Sequence, residues 1–520
     1  MSRPPLPRPR FGDLRFPCAV AVGTVGPDSV RLWLRSDRPG PHRLEVWPLD
    51  AGNSRRSVSW HFTPAEDADG TGTLLYPDGF PGEPPLAPLR RHGFRITREA
   101  DGVLVGEGRF ETFPARAEDT PPVFTFGLLS CHQPFMSSGD VFPASAAMLE
   151  AARTTLESHD ARFLLMCGDQ MYVDEPRALS LFSPRFFRRA GVAGRARLLE
   201  CSADEVRRLY QLRHRQFWDL PGWRALQAGY PSWLMLDDHE VVNNWGAEPE
   251  HSGPAWRRLD QGSRAAYFDY QGSRVLGPCP AGVPDTFDFS FDYGSTGIYA
   301  MDLRSQRRGG EQPRVYSPEQ LARLSTWLDA HQHSRAVFLV LSVPMVYVAS
   351  WASMGISLLR SHRGDARDRW THPWNLPDRD RLLGLLLAHQ RRCPEQRVVL
   401  LSGDVHLGCA FAIDWLGDAR GTMYQFTSSA VTHLTHGFSA WAARHLPRTE
   451  LLLKVEDGPA ARLVRMDGVG DADHNPYGGL NVGVIEVHDR GAHSTVRFKL
   501  VGQDPRHPDQ PVTVFDTGEL

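Results

Sequence analysis

Apolar and polar residues alternate with period two through DSVRLWLRS, HRLEVWPL and GEGRFETF in the first part of the chain. That period puts one set of side chains on a single face of an extended strand. Clusters of Gly, Pro and Asp separate the runs, as turns require. Residues 1–115 are therefore expected to form a small all-β domain of immunoglobulin or fibronectin type. The polar, proline-rich segment PARAEDTPP, Pro114 to Pro122, marks the expected boundary.

Beyond it the pattern changes. Short apolar runs recur at Val123–Leu129, Phe163–Cys167, Trp233–Leu236, Ile298–Met301, Ala336–Val343 and Val398–Leu401. Helical periodicity fills the gaps, most clearly in SPEQLARLSTWLDAH. There Ser317 can cap, Pro318 suits the first turn, Gln320 completes a capping box, and Leu321, Leu324 and Leu328 recur at helical spacing. Alternating strands and helices predict a layered α/β core over residues 116–520. An Arg-rich, mostly helical insertion is expected at about 178–230, and a Gly/Pro-rich one at 247–290. Near the end NVGVIEVHD and STVRFKLVG face each other across Arg490–Gly491–Ala492, a predicted β-hairpin.

Composition narrows the class. The 520 residues are 41% apolar and 23% charged, ordinary for a folded chain, which excludes wholesale disorder. A formal charge of −3 supplies no global basic field, so no stable nucleic-acid partner is expected. Seven scattered cysteines do not make a disulfide framework and point to a reducing compartment. The N-terminal MSRPPLPRPRFGDL has no apolar core and no twin-arginine signal. Ala336 to Leu359 is uncharged, but Pro344 breaks it and Ser342, Ser350 and Ser353 dilute it. No membrane span is expected, and a cytoplasmic location is the default.

Four apolar runs end in polar clusters: Ser130-Cys131-His132-Gln133, Gly168-Asp169-Gln170-Met171-Tyr172, Asp237-Asp238-His239-Glu240 and Gly403-Asp404-Val405-His406. Strand ends are where α/β sheets bind ligands. A lone Asp after Gly is most often a turn or a cap, and a lone Cys a small core residue. Adjacent Asp237 and Asp238 at the end of an apolar strand are costly unless a cation compensates. Asp404 and His406, two apart, share a face of an extended strand. Asp oxygens suit Ca²⁺, Mg²⁺ or Mn²⁺, whereas Cys, Tyr and His suit a transition metal. Cys131, Tyr172 and His406 together with Asp169, Asp238 and Asp404 therefore argue for two unlike metals bridged by a carboxylate.

SCHQ, GDQMY, DDHEVVNNW and GDVH, in this order, resemble the PhoD-type alkaline phosphatase/phosphodiesterase family of the calcineurin-like metallophosphoesterases. Asp302-Leu303-Arg304-Ser305-Gln306-Arg307 is similar to that family's D-x-R-x-x-R segment. The likeness covers roughly residues 16–500. It implies a four-layer α/β/β/α sandwich with metals at the strand ends, preceded by the β-domain. It implies that Cys131, Asp169, Tyr172 and His406 hold iron, and that Asp169 bridges to a calcium site shared with Asp238 and Asp404. Manganese, zinc or magnesium are alternatives. His239 becomes the general acid or leaving-oxygen stabiliser, Asp237 its orienting partner, and Arg304 either a phosphate contact or a structural salt bridge. A metal-activated hydroxide would attack the phosphorus of a small phosphate ester.

Two departures from the best-known members stand out: the missing twin-arginine signal and the absence of a clear C-terminal lid in GQDPRHPDQPVTVFDTGEL. The 178–230 insertion, with Arg185, Arg188, Arg189, Arg195 and Arg197, could cover the site instead, or be a solvated face. Asn243 and Asn244 are ligands or turn formers. His433, His436, His474 and Asn475 lie in loops that could reach the site and are read as surface or core residues. The competing class is a non-catalytic metal- or partner-binding protein on a degenerate phosphoesterase fold. Monoester versus diester preference and oligomeric state are not legible.

Overall fold

The computed structural model describes residues 10–520 apart from 17, 51–54, 191, 193, 280, 346–362, 417–420, 435–450 and 454–460. Seven strands come first: β1 (Ala19–Val25), β2 (Val30–Arg35), β3 (Gly40–Pro48), β4 (Arg56–Phe62), β5 (Thr71–Tyr76), β6 (Arg91–Arg98) and β7 (Leu104–Glu111). They form two antiparallel sheets, β1-β2-β5 and β4-β3-β6-β7. The inward residues of the alternating runs, such as Leu32, Leu34, Leu44 and Val46, are buried as the period requires. Trp33 donates through Nε1 to the Asp269 carbonyl at 2.9 Å, and Arg274 donates to the Val22 carbonyl at 3.0 Å. These bonds tie the small sheets to the layers that follow.

Two larger sheets form the rest. The first takes β8 (Val123–Leu129), β9 (Ala161–Met166), β10 (Ser232–Leu234), and later β19 (Val482–Asp489), β20 (Ser494–Gln503) and β21 (Pro511–Asp516). Its order is β10-β9-β8-β19-β20-β21, parallel through the first three and antiparallel after. The second takes β11 (Phe289–Tyr293), β12 (Thr296–Met301), β13 (Ala336–Leu341), β14 (Arg397–Ser402), β15 (Cys409–Trp415), β16 (Thr422–Thr427), β17 (Leu451–Leu453) and β18 (Ala461–Arg465). Its order is β11-β12-β13-β14-β16-β15-β18-β17, with a parallel centre from β12 to β16.

Strand β13 shows how the sequence builds the layers. Phe338 and Val340 join the core between the sheets, where Phe338 meets Phe126 edge-on at 5.3 Å and Phe426 stacks on Phe498 at 4.7 Å. Val337, Leu339 and Leu341 point the other way. They pack with Leu324 and Leu328 of helix Pro318–Ala330 and with Leu382, Leu383, Leu386 and Leu387 of helix Leu376–Arg392. A strand covered on both faces is continuously apolar, which is why AVFLVL carries no polar residue. Helix Pro143–Ser158 covers the far face of the first sheet, against β9, β20 and β21. The order is helix, sheet, sheet, helix: the expected four-layer α/β/β/α sandwich.

The helix at Pro318 begins as its sequence predicts, with Ser317 accepting from the Gln320 amide and Gln320 returning the bond to Ser317. Residues 178–230 carry helices Pro184–Ala190, Ala203–Trp218 and Pro221–Gly229. The Gly/Pro-rich reading of 247–290 missed a helix, Pro254–Tyr267. Pro254 is at its first turn, where no amide donor is needed. Gly262 lets it approach helix Ala203–Trp218: an added Cβ there would collide with the Ala203 carbonyl and Val206. The C-terminal segment that lacked helical character is strand β21, an edge of the first sheet. Among the described residues no helix is long and apolar enough to cross a membrane. The second half of the Ala336–Leu359 stretch lies mostly outside the described residues.

Candidate metal centre

Strands β8, β9 and β10 run parallel with Leu129, Met166 and Leu234 in register, so their C-terminal ends open at one level. Cys131, Asp169 and the Asp237-Asp238-His239 triple follow directly. Strand β14 of the second sheet ends at Ser402 and delivers Asp404 and His406. The result is one buried cluster. Cys131, Asp169 and His406 place ligand atoms within 4.8 Å of one another. So do Asp169, Asp238 and His239, and so do Asp169, Asp237, Asp238 and Asp404. Asp169 belongs to all three groups. The Tyr172 hydroxyl is 3.0 Å from Asp169 Oδ2 and 3.3 Å from His406 Nε2.

The backbone is unusual where these residues sit. Cys131, Asp169, Asp404 and His406 have φ of 58°, 60°, 64° and 55°, in the left-handed region that L-residues avoid. Such conformations cost on the order of 1–3 kcal/mol each and persist where the surroundings impose them. The surroundings here are specific. The fully buried Glu240 carboxylate accepts from the amides of Asp169, Gln170 and Asp237 at 3.0, 2.6 and 3.0 Å. Gly168, at φ 91°, packs so closely on Asp237 that any Cβ would strike its side chain. A Cβ at Gly403 would meet the Ser130 hydroxyl in the same way. The Gly-Asp pairs in the sequence thus serve to bring Asp169 and Asp404 out of their strands at a sharp turn.

The electrostatics are unbalanced. Burial pushes the Asp169 and Asp237 carboxyls far above their ordinary range, and neighbouring acids add to it. Burial also raises Asp404, and moves the Cys131 thiol to about 11. Asp237 Oδ2 and Asp238 Oδ1 are buried with no hydrogen-bond partner. Buried acceptors left unmatched beside like charges are what a bound cation would correct. The donor set fits such an occupant: thiol, phenol and imidazole on one side of Asp169, carboxylates on the other.

The sequence-predicted residues Cys131, Asp169, Tyr172, Asp238, His239, Asp404 and His406 are brought together. Asp237 and Arg304 join the cluster as well, Asp237 in a role other than the expected one and Arg304 as the structural salt bridge that was one of its two readings. His239 Nδ1 pairs with Asp174 Oδ1 at 2.7 Å, and the Asn243 amide holds the other Asp174 oxygen at 2.7 Å. Asp237 instead accepts from Arg304 Nε. Arg304 has no exposed surface and also forks onto Asp368 at 2.5 and 3.1 Å, so its guanidinium is committed to carboxylates as a buried salt bridge. Asn244 forms a turn whose amide reaches Asp238 Oδ2 at 2.5 Å. Arg369 bonds Asp404 from the rim. His433, read as a bystander, stacks on His406 with ring centroids 3.7 Å apart. His474 bonds the Val514 carbonyl and Asn475 the Ala410 backbone, away from these residues, and His436 lies outside the described residues. Asp174 and Asp368 had no signal in the sequence; Glu240 stood in one of the strand-end clusters and His433 in a loop able to reach the site, but their partners were not legible there.

Comparison with known proteins gives the frame. The model of the PhoD-like phosphatase family matches residues 126–473, about two thirds of the chain. Among curated proteins no match is found. Among solved structures, one titled "Structure of PhoD" aligns over 95% of this chain and 91% of its own at 15% identity and TM-score 0.59, which shows the shared fold. The third fibronectin III domain of human KIAA0343 protein aligns over 18% of this chain and 77% of its own at 15% identity and TM-score 0.13. With the family model spanning every strand end that carries the clustered side chains, the chain belongs to the PhoD-like phosphatase family.

Proposed function

We propose that this chain is a metal-dependent phosphoric ester hydrolase acting on a small phosphate ester. The observation that carries the reading is Asp169, the one carboxylate common to all three ligand groups. Cys131, Tyr172, His406 and Asp169 would hold a transition metal, with iron the family-like choice. Asp169, Asp238 and Asp404 would hold a hard cation such as calcium, and manganese, zinc or magnesium are compatible with parts of the set. When bound, such a pair supplies an activated water near neutral pH and neutralises charge on the phosphoryl group.

The chain's own residues do the remaining work. His239 is the proton donor to the leaving oxygen. Burial works against its imidazolium, but the carboxylates of Asp174, Asp238 and Asp169 outweigh this and hold its pKa well above the ordinary range. Asp174 fixes the ring through Nδ1, which leaves Nε2 as the donating atom. The Asn243 amide keeps Asp174 in place. Arg304 and Glu240 hold the acidic turns and do not touch substrate.

The direct test is hydrolysis of a nitrophenyl phosphate monoester and of its bis-ester, each with added metal and with a chelator. Chelator-sensitive turnover of either ester is the expected result, and the faster of the two assigns monoesterase or diesterase activity. Metal-loaded protein that turns over neither ester would count against a general phosphoesterase.

His239→Ala is expected to lower kcat by about 10²–10⁴-fold on an alkyl phosphate ester. On a nitrophenyl ester the loss should be smaller, because that leaving group departs without a proton. Asp174→Asn should cost about 10–100-fold, as removal of an orienting partner does. Equal losses on both leaving groups in steady-state assays would remove His239 from the proton-donor role.

A further inference from the structure

One loop braces the thiol and imidazole side of the centre. It follows β16 and runs from Ser428 to His433. The amides of Thr432 and His433 donate to the Cys131 carbonyl at 3.3 and 3.2 Å, and that of Val431 to the Ser130 carbonyl at 3.0 Å. The Ser429 hydroxyl accepts from the His406 amide at 2.8 Å and lies 3.1 Å from Cys131 Sγ. At the loop's end the His433 ring lies almost parallel to His406, at 18°, with centroids 3.7 Å apart. It also packs near Tyr172, with centroids 5.4 Å apart. Its Nε2 pairs with Glu175 Oε2 at 2.8 Å. Glu175 directly follows Asp174, so two consecutive carboxylates each hold one histidine: Asp174 holds His239 and Glu175 holds His433. Both histidine rings pack against Tyr172.

Rotation of an imidazole about its outer bond is soft, and a histidine that ligates metal is usually fixed by an outer partner. His406 also carries a left-handed backbone, φ 55°, so its ring leaves the chain in a direction no strand neighbour fixes, and its plane is set by what packs on it. We propose that His433 is a positioning residue for the transition-metal half of the centre. Tethered to Glu175, its ring is the flat surface that sets the plane of His406 and so the aim of His406 Nε2 beside Tyr172 and Asp169. The proposal rests on the metal-centre reading above and assigns to His433 a role that the ligand set does not include. Asp238 and Asp404 are held by a different set, Asn244, Arg304 and Arg369, so the effect falls on one metal class.

The test loads the full chain with ferrous iron, or separately with zinc, and measures metal per chain during chelator challenge. Calcium dependence of turnover and the melting temperature of metal-free protein are read in parallel. His433→Ala is expected to weaken retention of iron or zinc by about 10–100-fold. Its calcium requirement and metal-free melting should stay at wild-type values. His433→Phe keeps a flat ring against His406 and should recover most of the retention. An Ala variant that holds iron and zinc as wild type does would overturn the proposal. So would a Phe variant no better than Ala, or an Ala variant that melts lower without metal and loses both metal classes alike. Wild-type protein that binds no iron or zinc would instead sink the metal-centre reading itself, and this inference with it.

Discussion

Replacing Asp169 with Ala should abolish chelator-sensitive ester hydrolysis, with a loss of at least about 10³-fold in kcat, while the metal-free protein becomes no less stable. The two halves of this expectation have one cause. Asp169 is the carboxylate shared by every ligand group, so its removal disables both proposed metal positions at once. Cys131→Ser or Asp404→Asn each touch one group and should cost less. In the metal-free chain, however, Asp169 is a burden: it is buried beside Cys131, Asp238 and Asp237, and burial foremost drives its carboxyl toward protonation. Its left-handed φ of 60° stays in the variant and suits Ala slightly less than Asp, so the relief of charge has to outweigh that small cost. Removing the charge relieves repulsion from Asp238 and Asp237 that His239 offsets only in part. Groups kept for function against stability behave this way. Thermal melts in chelator, set beside turnover with metal restored, check both halves. An Asp169→Ala protein with full metal-dependent activity would refute the assignment.

Much of this was legible in the sequence because it is local. Val123–Leu129 is strand β8 residue for residue, and the Ser317–Gln320 capping box starts its helix where the pattern places it. Strand period and cap chemistry are short-range signals, and the Gly-Asp turns at strand ends are too. The partners of those turns are long-range. His239 finds Asp174 across 65 positions, Asp237 finds Arg304 across 67, and His433 finds Glu175 across 258. Period two says which face a residue occupies and not which residue it meets there. The adjacent Asp237 was therefore the natural guess for orienting His239. The helix at Pro254–Tyr267 was hidden for a related reason: Gly262 reads as a breaker by propensity, but it is selected by the close crossing of helix Ala203–Trp218.

Arg304 presents the sharpest case, because its two readings predict different measurements. A phosphate contact would affect KM and leave folding alone. The observed geometry demands the reverse. Arg304 has no exposed surface, bonds Asp237 through Nε and forks onto Asp368, with Asp238 and Asp404 each 3.7 Å from Nη2. Arg307 supports Asp368 at 3.4 Å but makes none of these other contacts. Arg304→Ala would leave Asp237 buried and uncompensated and Asp368 with only Arg307 and Arg369 to balance it, a loss of about 3 kcal/mol or more seen without substrate and in chelator. Arg304→Lys keeps the charge and loses the fork, so it should fall between. The pH dependence gives the sign. Although burial opposes it, the arginines hold Asp368 well below the ordinary carboxylate range, so its contribution is present above the unfolded pKa and lost only in strong acid. Without Arg304 only Arg307 and Arg369 oppose burial, so Asp368 rises from its low value, the bereft Asp237 rises with it, and protonation relieves the variant as pH falls. The stability gap between wild type and Arg304→Ala should therefore narrow from neutral pH to about pH 5, as urea unfolding at both values would register. A variant within about 1 kcal/mol of wild type at neutral pH, with a raised KM, would return Arg304 to the substrate.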